Sequence, residues 1–194
     1  MTEAQLFALA VTLAWLAGVR IYLTVFALGL AGAMGWVELP GSLELCASPW
    51  VIATAGVLTV VEFGADKIPG VDSAWDLLNT VLRIPGGAAL AGAAAAPVDS
   101  EFGWAWAAAG GVVAALSHGL KSGTRAMINA SPEPVSNWSA SLGEDAVALA
   151  ALALVFSHPW LALALLVGFA LAVAGTVYLL LRWLLRRRPA RPLS

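Results

Sequence analysis

Residues 62–85 read Glu62-Phe-Gly-Ala-Asp66-Lys67-Ile-Pro69-Gly-Val-Asp72-Ser-Ala-Trp75-Asp76-Leu-Leu-Asn79-Thr-Val-Leu-Arg83-Ile-Pro85, and the fold turns on this stretch. It holds four carboxylates, one Lys, one Arg and one Asn between long apolar runs. An ionisable group at membrane depth costs a few kcal/mol or more unless it is paired or faces a wet cavity, so the stretch is a functional-site candidate. The chain around it is hydrocarbon. Over the whole sequence 60% of residues are apolar and 11% charged, against roughly 45–50% and about 25% in soluble domains.

The class that fits is all-α, a polytopic transmembrane helical bundle. A β-barrel would alternate apolar and polar residues in short segments, and the Ala/Leu/Val runs here do not. The 194 residues hold one integral membrane domain, 1–194, of about five or six spans at roughly 20 residues each. Cys46 is the only cysteine, so no intrachain disulfide forms, and it reads as a small apolar core residue. The start, Met-Thr-Glu-Ala-Gln, lacks a basic leader, and the apolar run after it continues to Met34, so no cleavable signal is expected.

Outward from the polar stretch, the first apolar segment, Leu6 to Trp36, is longer than one crossing needs and carries Arg20 near its middle. Either one tilted helix buries that Arg, or the helix breaks near Gly18; a break is the expectation. The second span is expected over Trp50–Ala65. A new helix is expected after Pro69–Gly70, with Asp72 or Ser73 as its cap and Pro85-Gly86-Gly87 as its stop. On it Asp72, Asp76, Asn79 and Arg83 form one polar stripe, with Trp75, Leu78 and Leu82 on another face. Such a helix lies at an interface or dips into the bundle as a re-entrant element, and the dip is expected. The third span, Gly86 to Val98, has almost no bulk and belongs in the centre, where small residues let backbones approach. The fourth, Trp104 to Leu120, leads into His118, Lys121, Arg125 and Asn129 on one helical face. A loop is expected to lead to Glu144 and Asp145 at the start of span five, where a helix N-terminus favours carboxylates. The sixth span runs to Leu185, and residues 186–194 make a basic tail.

The segments 37–49, 98–103 and 157–159 contain no Lys or Arg, whereas Lys67, Arg83, Lys121, Arg125 and the tail fall on the opposite side. Positive residues favour the cytoplasm, so the C-terminus is expected there, with Trp36, Trp50, Trp104, Trp106 and Trp160 at the outer boundary. A faint duplication pairs 50–97 with 104–157: two apolar segments around a polar hairpin, with signs of charge largely exchanged. Internal repeats with interrupted segments are a recurring transporter plan.

The strings Gly18-Val-Arg20-Ile-Tyr22, Glu62-Phe-Gly-Ala-Asp66-Lys67-Ile-Pro69-Gly-Val-Asp72, Trp75-Asp76 and Arg83-Ile-Pro85 are long enough to be specific. With them go Lys121, Thr124-Arg125, Asn129-Ala-Ser131-Pro132-Glu133-Pro134, Ser136-Asn137 and Glu144-Asp145. Together they resemble a bacterial membrane family known as domain of unknown function 4126, over nearly the whole chain. The resemblance implies a small multi-span protein of the bacterial inner membrane and assigns no activity.

Glu62 and Asp66, four residues apart on one helical face, suit cation binding or proton transfer; equally, they neutralise Lys121 and Arg125 in structural pairs. His118 suits a proton relay or a hydrogen-bonded structural role. With only His158 besides it, a His-based metal centre is not expected, and no metal-binding, nucleophile-elbow or phosphate-loop motif is present. The sequence therefore points to transport or conduction of an ion or small polar solute. The pathway would be lined by Arg20, Glu62, Asp66, Lys67, Asp72, Asp76, Asn79, Arg83, His118, Lys121, Arg125, Asn129, Glu144 and Asp145. The rivals are an enzyme acting on a lipid headgroup and a non-catalytic scaffold subunit. Expected partners are the bilayer and the solute; a homo-oligomer is left open, and neither nucleic acid nor a cofactor is expected.

Overall fold

A computed structural model describes residues 1–68, 70–96, 103–129 and 134–186. Among them every regular element is helical: α1 (Glu3–Ala33), a 3-10 segment (Gly41–Ala47), α2 (Pro49–Ala65), α3 (Val71–Ala95), α4 (Gly103–Asn129), α5 (Pro134–Ser157) and α6 (Pro159–Arg186). Nearly all of the Lys- and Arg-free segment 98–103 and of the basic tail, residues 97–102 and 187–194, lies outside the described residues.

The helix starts follow local chemistry. Thr2 and Gln5 cap α1 reciprocally, side chain to backbone in both directions. Pro49, Pro134 and Pro159 each stand first in a helix, where the missing N–H has no partner to lose. Gly70, at φ +85°, turns the chain into α3. Asp72 sits in the first turn of α3 instead of capping it from outside, and its Oδ1 accepts the Gly70 and Ser73 amides.

The centre of the bundle is α1, and it is not one straight rod. Arg20 alone leaves helical geometry, at φ −147° and ψ 70°. The contacts show that the chain doubles back there. Phe7 packs edge-on against Trp106 and lies beside Trp160, so α1 begins level with the starts of α4 and α6. From there it descends along α4: a Cβ on Gly18 would collide with Ser117 and Ala114, and Val19 O accepts Lys121 Nζ at 3.1 Å. Beyond Arg20 the neighbour is α2, with Phe26 against Gly56 and Gly29 against Ile52. Helix α2 is antiparallel to α3, since Glu62 meets Arg83 while Val51, Ala55 and Leu58 share a groove with Leu82, Pro85 and Gly86. Helix α3 is antiparallel to α4, with Gly87 and Ala91 against Gly110 and Asp72 against Asn129. The second limb of α1 therefore climbs back toward the end where the first began.

Arg20 is the tip of this V, two residues after the expected break. The limbs, 3–19 and 21–33, are about 25 and 20 Å long at 1.5 Å per residue, shorter than a hydrocarbon core of about 30 Å. Among the described residues three helical stretches are long and apolar enough, by length and composition, to cross a membrane: Glu3–Ala33 if counted across its bend, Trp138–Ser157 and Pro159–Trp183. The 3-10 segment and α2, meeting at 66°, make a fourth if taken together.

Two expectations are corrected here. The helix opening at Val71 does not stop at Pro85; α3 runs through it to Ala95. Pro85 removes one backbone hydrogen bond, but Gly86 and Gly87 are there for close approach. A Cβ on Gly86 would strike Ile21, and one on Gly87 would strike Ala114. Tertiary packing of this small-residue surface overrides the local stop signal. Consequently 62–85 bridges the end of α2 and most of the first half of α3, and the element that doubles back on itself is α1. Second, α5 begins at Pro134, so Glu144 and Asp145 lie well inside it, away from any helix N-terminus.

Candidate functional site

The break in α1 leaves backbone carbonyls without their usual partners. Helix α4 supplies one replacement, Lys121 Nζ donating to Val19 O, and one turn earlier Ser117 Oγ donates to Trp15 O at 2.9 Å. A cation at a helix C-terminus also meets the negative end of that helix's dipole. Lys121 thus closes the first limb of α1, and its ammonium stands at the centre of the buried charges.

Two ion-paired groups meet at Lys121. In the first, Arg83 pairs with Glu62, and its Nη1 lies 2.6 Å from Asp76 Oδ1. The same nitrogen lies 3.2 Å from His118 Nδ1. Arginine can only donate, so Nδ1 accepts and His118 is neutral, with its proton on Nε2. That proton goes to Thr80 Oγ1 at 2.7 Å, and Thr80 donates onward to Asp76 O. In the second group Arg20 pairs with Asp66, lies 3.0 Å from Asp145 and 3.5 Å from Glu144, and donates to Ser141 Oγ at 2.9 Å. Arg125 holds both oxygens of Glu144, at 3.2 and 3.1 Å, and donates to Asp66 O. Between the groups, Lys121 Nζ stands 3.4 Å from Asp76, 3.5 Å from Glu144 and 3.6 Å from Asp66.

Burial is deep at one end and partial at the other. Arg20, Arg83, Arg125, Glu62 and Asp66 are at most 1% exposed, whereas the Glu144 and Asp145 side chains are 15% and 19% exposed. The network therefore reaches from the packed centre to the surface of the bundle at α5. Four cationic side chains (Arg20, Arg83, Lys121, Arg125) face five carboxyl groups (Glu62, Asp66, Asp76, Glu144, Asp145), one acidic group in excess by formal count. Including Lys67 and Asp72 leaves that excess unchanged. Glu62 Oε2, Asp66 Oδ1, Asp76 Oδ2 and Asp145 Oδ2 are buried without a hydrogen-bond partner among the described residues.

A family model described as a domain of unknown function (DUF4126) matches residues 7–178. The chain belongs to that family. Neither a curated protein nor a solved structure shows a significant match. The strings that carry the resemblance to domain of unknown function 4126 are the ones that build this network: Arg20, Glu62, Asp66, Asp76, Arg83, Lys121, Arg125, Glu144 and Asp145 all take part in it.

The remaining expected positions stand around its edge. Tyr22 OH donates to Asn79 Oδ1, latching the second limb of α1 to α3, and Asn79 Nδ2 donates to Trp75 O. Asn129 Nδ2 lies 2.9 Å from each oxygen of Asp72, where α3 and α4 meet. Among the described residues Lys67 takes part in no ion pair: its ammonium donates to Phe63 O and lies over the Phe63 ring, and desolvation by the protein lowers its pKa. Among the described residues no group of His, Cys, Asp and Glu is arranged to hold a metal ion.

The pairing differs in detail from the sequence expectation. Asp66 meets Lys121 and Arg125 as expected, whereas Glu62 is taken by Arg83, and Arg125 is held chiefly by Glu144. Sequence reasoning placed Thr80 on the polar stripe beside Asn79 but missed Ser141 as a partner. Ser141 lay in a stretch read as loop, although it stands three residues before Glu144 and so shares its helical face.

Proposed function

We propose that this protein carries an ion or small polar solute across a membrane, through the charged cluster at the tip of α1. The observation that carries this reading is the broken α1. Irregular backbone at membrane depth survives only where it is buried in protein or lines a cavity, and interrupted helices whose half-helix ends face a midplane site recur in transporters. Here the C-terminal end of one limb and the N-terminal end of the other converge on the cluster. Lys121, shared among three carboxylates at 3.4–3.6 Å, supplies the exchange. A proton or cation that joins one carboxylate frees the ammonium to move toward the other two.

The topology that goes with this function has five crossings, α2 to α6, and a re-entrant α1. The N-terminus and the 37–49 segment then share the outer face, and the C-terminus is cytoplasmic in a bacterial inner membrane. Arg83, Lys121 and Arg125 are buried in ion pairs and do not count as loop charges, so this orientation rests on Lys67 and the tail. Cysteines at Thr2 and Ser42, placed after Cys46→Ser, should both react with an impermeant thiol reagent from outside, and one at Pro192 should not. Labelling of Thr2→Cys and Ser42→Cys from opposite sides would remove the V from the membrane.

The functional test is flux in vesicles containing the full chain, with a pH-sensitive dye inside and a panel of ions and small solutes outside. Asp76→Asn and Glu62→Gln keep shape and remove charge; each should change the flux while circular dichroism stays unchanged. Flux indifferent to both across the whole panel sinks the transport reading.

A further inference from the structure

Helix α6 carries a groove along the face it turns toward α4. Phe169, Val173, Thr176, Leu180 and Trp183, spaced three or four residues apart, form one wall, and Thr124, Met127 and Ile128 of α4 form the other. The groove has a volume of about 510 Å³. Phe169, Leu180 and Trp183 are each nearly half exposed, so it lies open to hydrocarbon along its length. From Phe169 to Trp183 it runs about 21 Å at 1.5 Å per residue, farther than the roughly 15 Å that one leaflet contributes to a core of about 30 Å. Past Thr124, Phe169 and Val173, which line both spaces, it opens into a cavity of about 270 Å³ beside the charged cluster.

The two ends of this passage offer different chemistry. At the cluster end the polar side chains are already engaged. Ser117 donates to Trp15 O and Ala114 O, Thr124 to Leu120 O and Lys121 to Val19 O, while Arg125 holds both oxygens of Glu144. What remains there for an occupant is the apolar surface of Trp15, Val19, Leu120 and Val147. The other end is basic. Arg182 is exposed beside Trp183 and has no ion pair among the described residues. The sequence continues with Arg186, Arg187, Arg188 and Arg191, and no Asp or Glu follows Asp145. A Trp at the end of an apolar helix suits the level of the headgroups. A ligand that fits is therefore hydrocarbon along its length and anionic at one end.

We infer that the groove seats an acyl chain of an anionic phospholipid from the leaflet at the C-terminal end of α6. Its phosphate lies at Arg182, where the basic segment begins, and its chain end enters the cavity beside the cluster. Basic side chains at the end of a membrane helix attract anionic headgroups by about 1 kcal/mol each, roughly fivefold in affinity. The groove adds what charge alone lacks, a wall that holds one chain in place. The two spaces together fall within the range of about 300–1,000 Å³ typical of small-molecule sites. A zwitterionic lipid brings the same chain without the net charge, and a free anion brings charge with nothing to fill the groove. This site stands whether or not the cluster carries a solute.

The test holds the full chain in nanodiscs of phosphatidylcholine containing a small fraction of lipid spin-labelled near the end of one acyl chain. Electron spin resonance then reads the fraction of label that the protein immobilises. Spin-labelled phosphatidylglycerol should be immobilised in preference to spin-labelled phosphatidylcholine, about fivefold or more, and Arg182→Gln should lower that preference about fivefold. Thr176→Trp supplies the second arm. The Thr176 hydroxyl donates within its own helix, to Ala172 O, so the change breaks no bond between helices, and the new ring fills the groove with every arginine in place. It should abolish the immobilised phosphatidylglycerol. Leu171→Trp puts the same ring on the exposed side of α6 away from the groove and should leave it unchanged. All three variants should keep the circular dichroism of the unaltered chain. Equal immobilisation of the two lipids, or a preference untouched by Arg182→Gln, would overturn the inference. So would a loss no greater in Thr176→Trp than in Leu171→Trp, which would leave only diffuse attraction of the basic tail. None of these measurements reads flux, so either the lipid site or the transport reading can fail while the other holds.

Discussion

The core of α1, α3 and α4 and the peripheral helix α6 distribute polarity in opposite ways. Helix α6 contains the most apolar stretch among the membrane-length helices, with a mean hydropathy of 2.4, yet Leu165, Leu171, Leu179 and Trp183 are all exposed. At the centre, Arg20, Arg83 and Arg125 are among the largest fully buried side chains. A soluble protein would invert this arrangement, because burial of apolar surface away from water drives its folding. In hydrocarbon an apolar face gains nothing by turning inward, and the interior is held by close packing of small residues and by polar pairs. The comparison teaches that hydropathy here marks the outside and charge marks the inside.

The largest way to break the comparison is at the tip of α1. Arg20→Ala takes the guanidinium from Asp145 and leaves Asp66 only Lys121 and Arg125, at 3.6 and 3.8 Å, and should cost about 3–5 kcal/mol in denaturant unfolding from detergent. Arg20→Met combined with Asp66→Leu should recover part of that loss, because no uncompensated charge remains on either side of the main pair. Strictly additive losses would mean that the residues act independently. Next comes the small-residue packing. Gly87→Val places a side chain where a Cβ alone would stand 2.4 Å from Ala114, and should cost about 1–3 kcal/mol by the same measurement. A neutral result would show α3 and α4 free to separate. A smaller step is Tyr22→Phe, which removes the hydroxyl latch to Asn79 and should cost about 0.5–1.5 kcal/mol. The smallest belongs to the periphery: Leu171→Ala, on the exposed face of α6, should stay within about 0.5 kcal/mol. A loss as large as that of Gly87→Val would mean that this face is packed against something, a second copy of the chain included.

These magnitudes also sort what was legible in the sequence. Charge spacing is local information. The stripe Asp72–Asp76–Asn79–Arg83 and the face His118–Lys121–Arg125–Asn129 follow from 3.6 residues per turn, and both line the interior as expected. The small-residue segment after Pro85 was legible as central for the same reason. What failed was local punctuation read without its neighbours. Pro85-Gly86-Gly87 looks like a stop, but the glycines are required by Ile21 and Ala114, which lie far away in the sequence. Pairing partners were legible only in part, because several residues of each sign compete and packing alone selects Arg83 for Glu62. The direction of α1 after Arg20 was beyond reach: apolar residues fill both limbs, and no periodicity distinguishes a helix that continues from one that turns back.

The doubled-back α1 also sets the timing of assembly. Arg20 is made early, but Ser141, which accepts from it, lies 121 residues later. At a synthesis rate of about 5–20 residues per second, Arg20 waits about 6–24 s for that partner. Until α4 is made nothing closes the first limb, and until α5 is made Ser141, Glu144 and Asp145 are missing from the tip. The N-terminal segment is therefore the earliest part of the chain to be synthesised and among the last to settle. A variant that delays or misplaces α4 or α5 should leave it exposed to proteases.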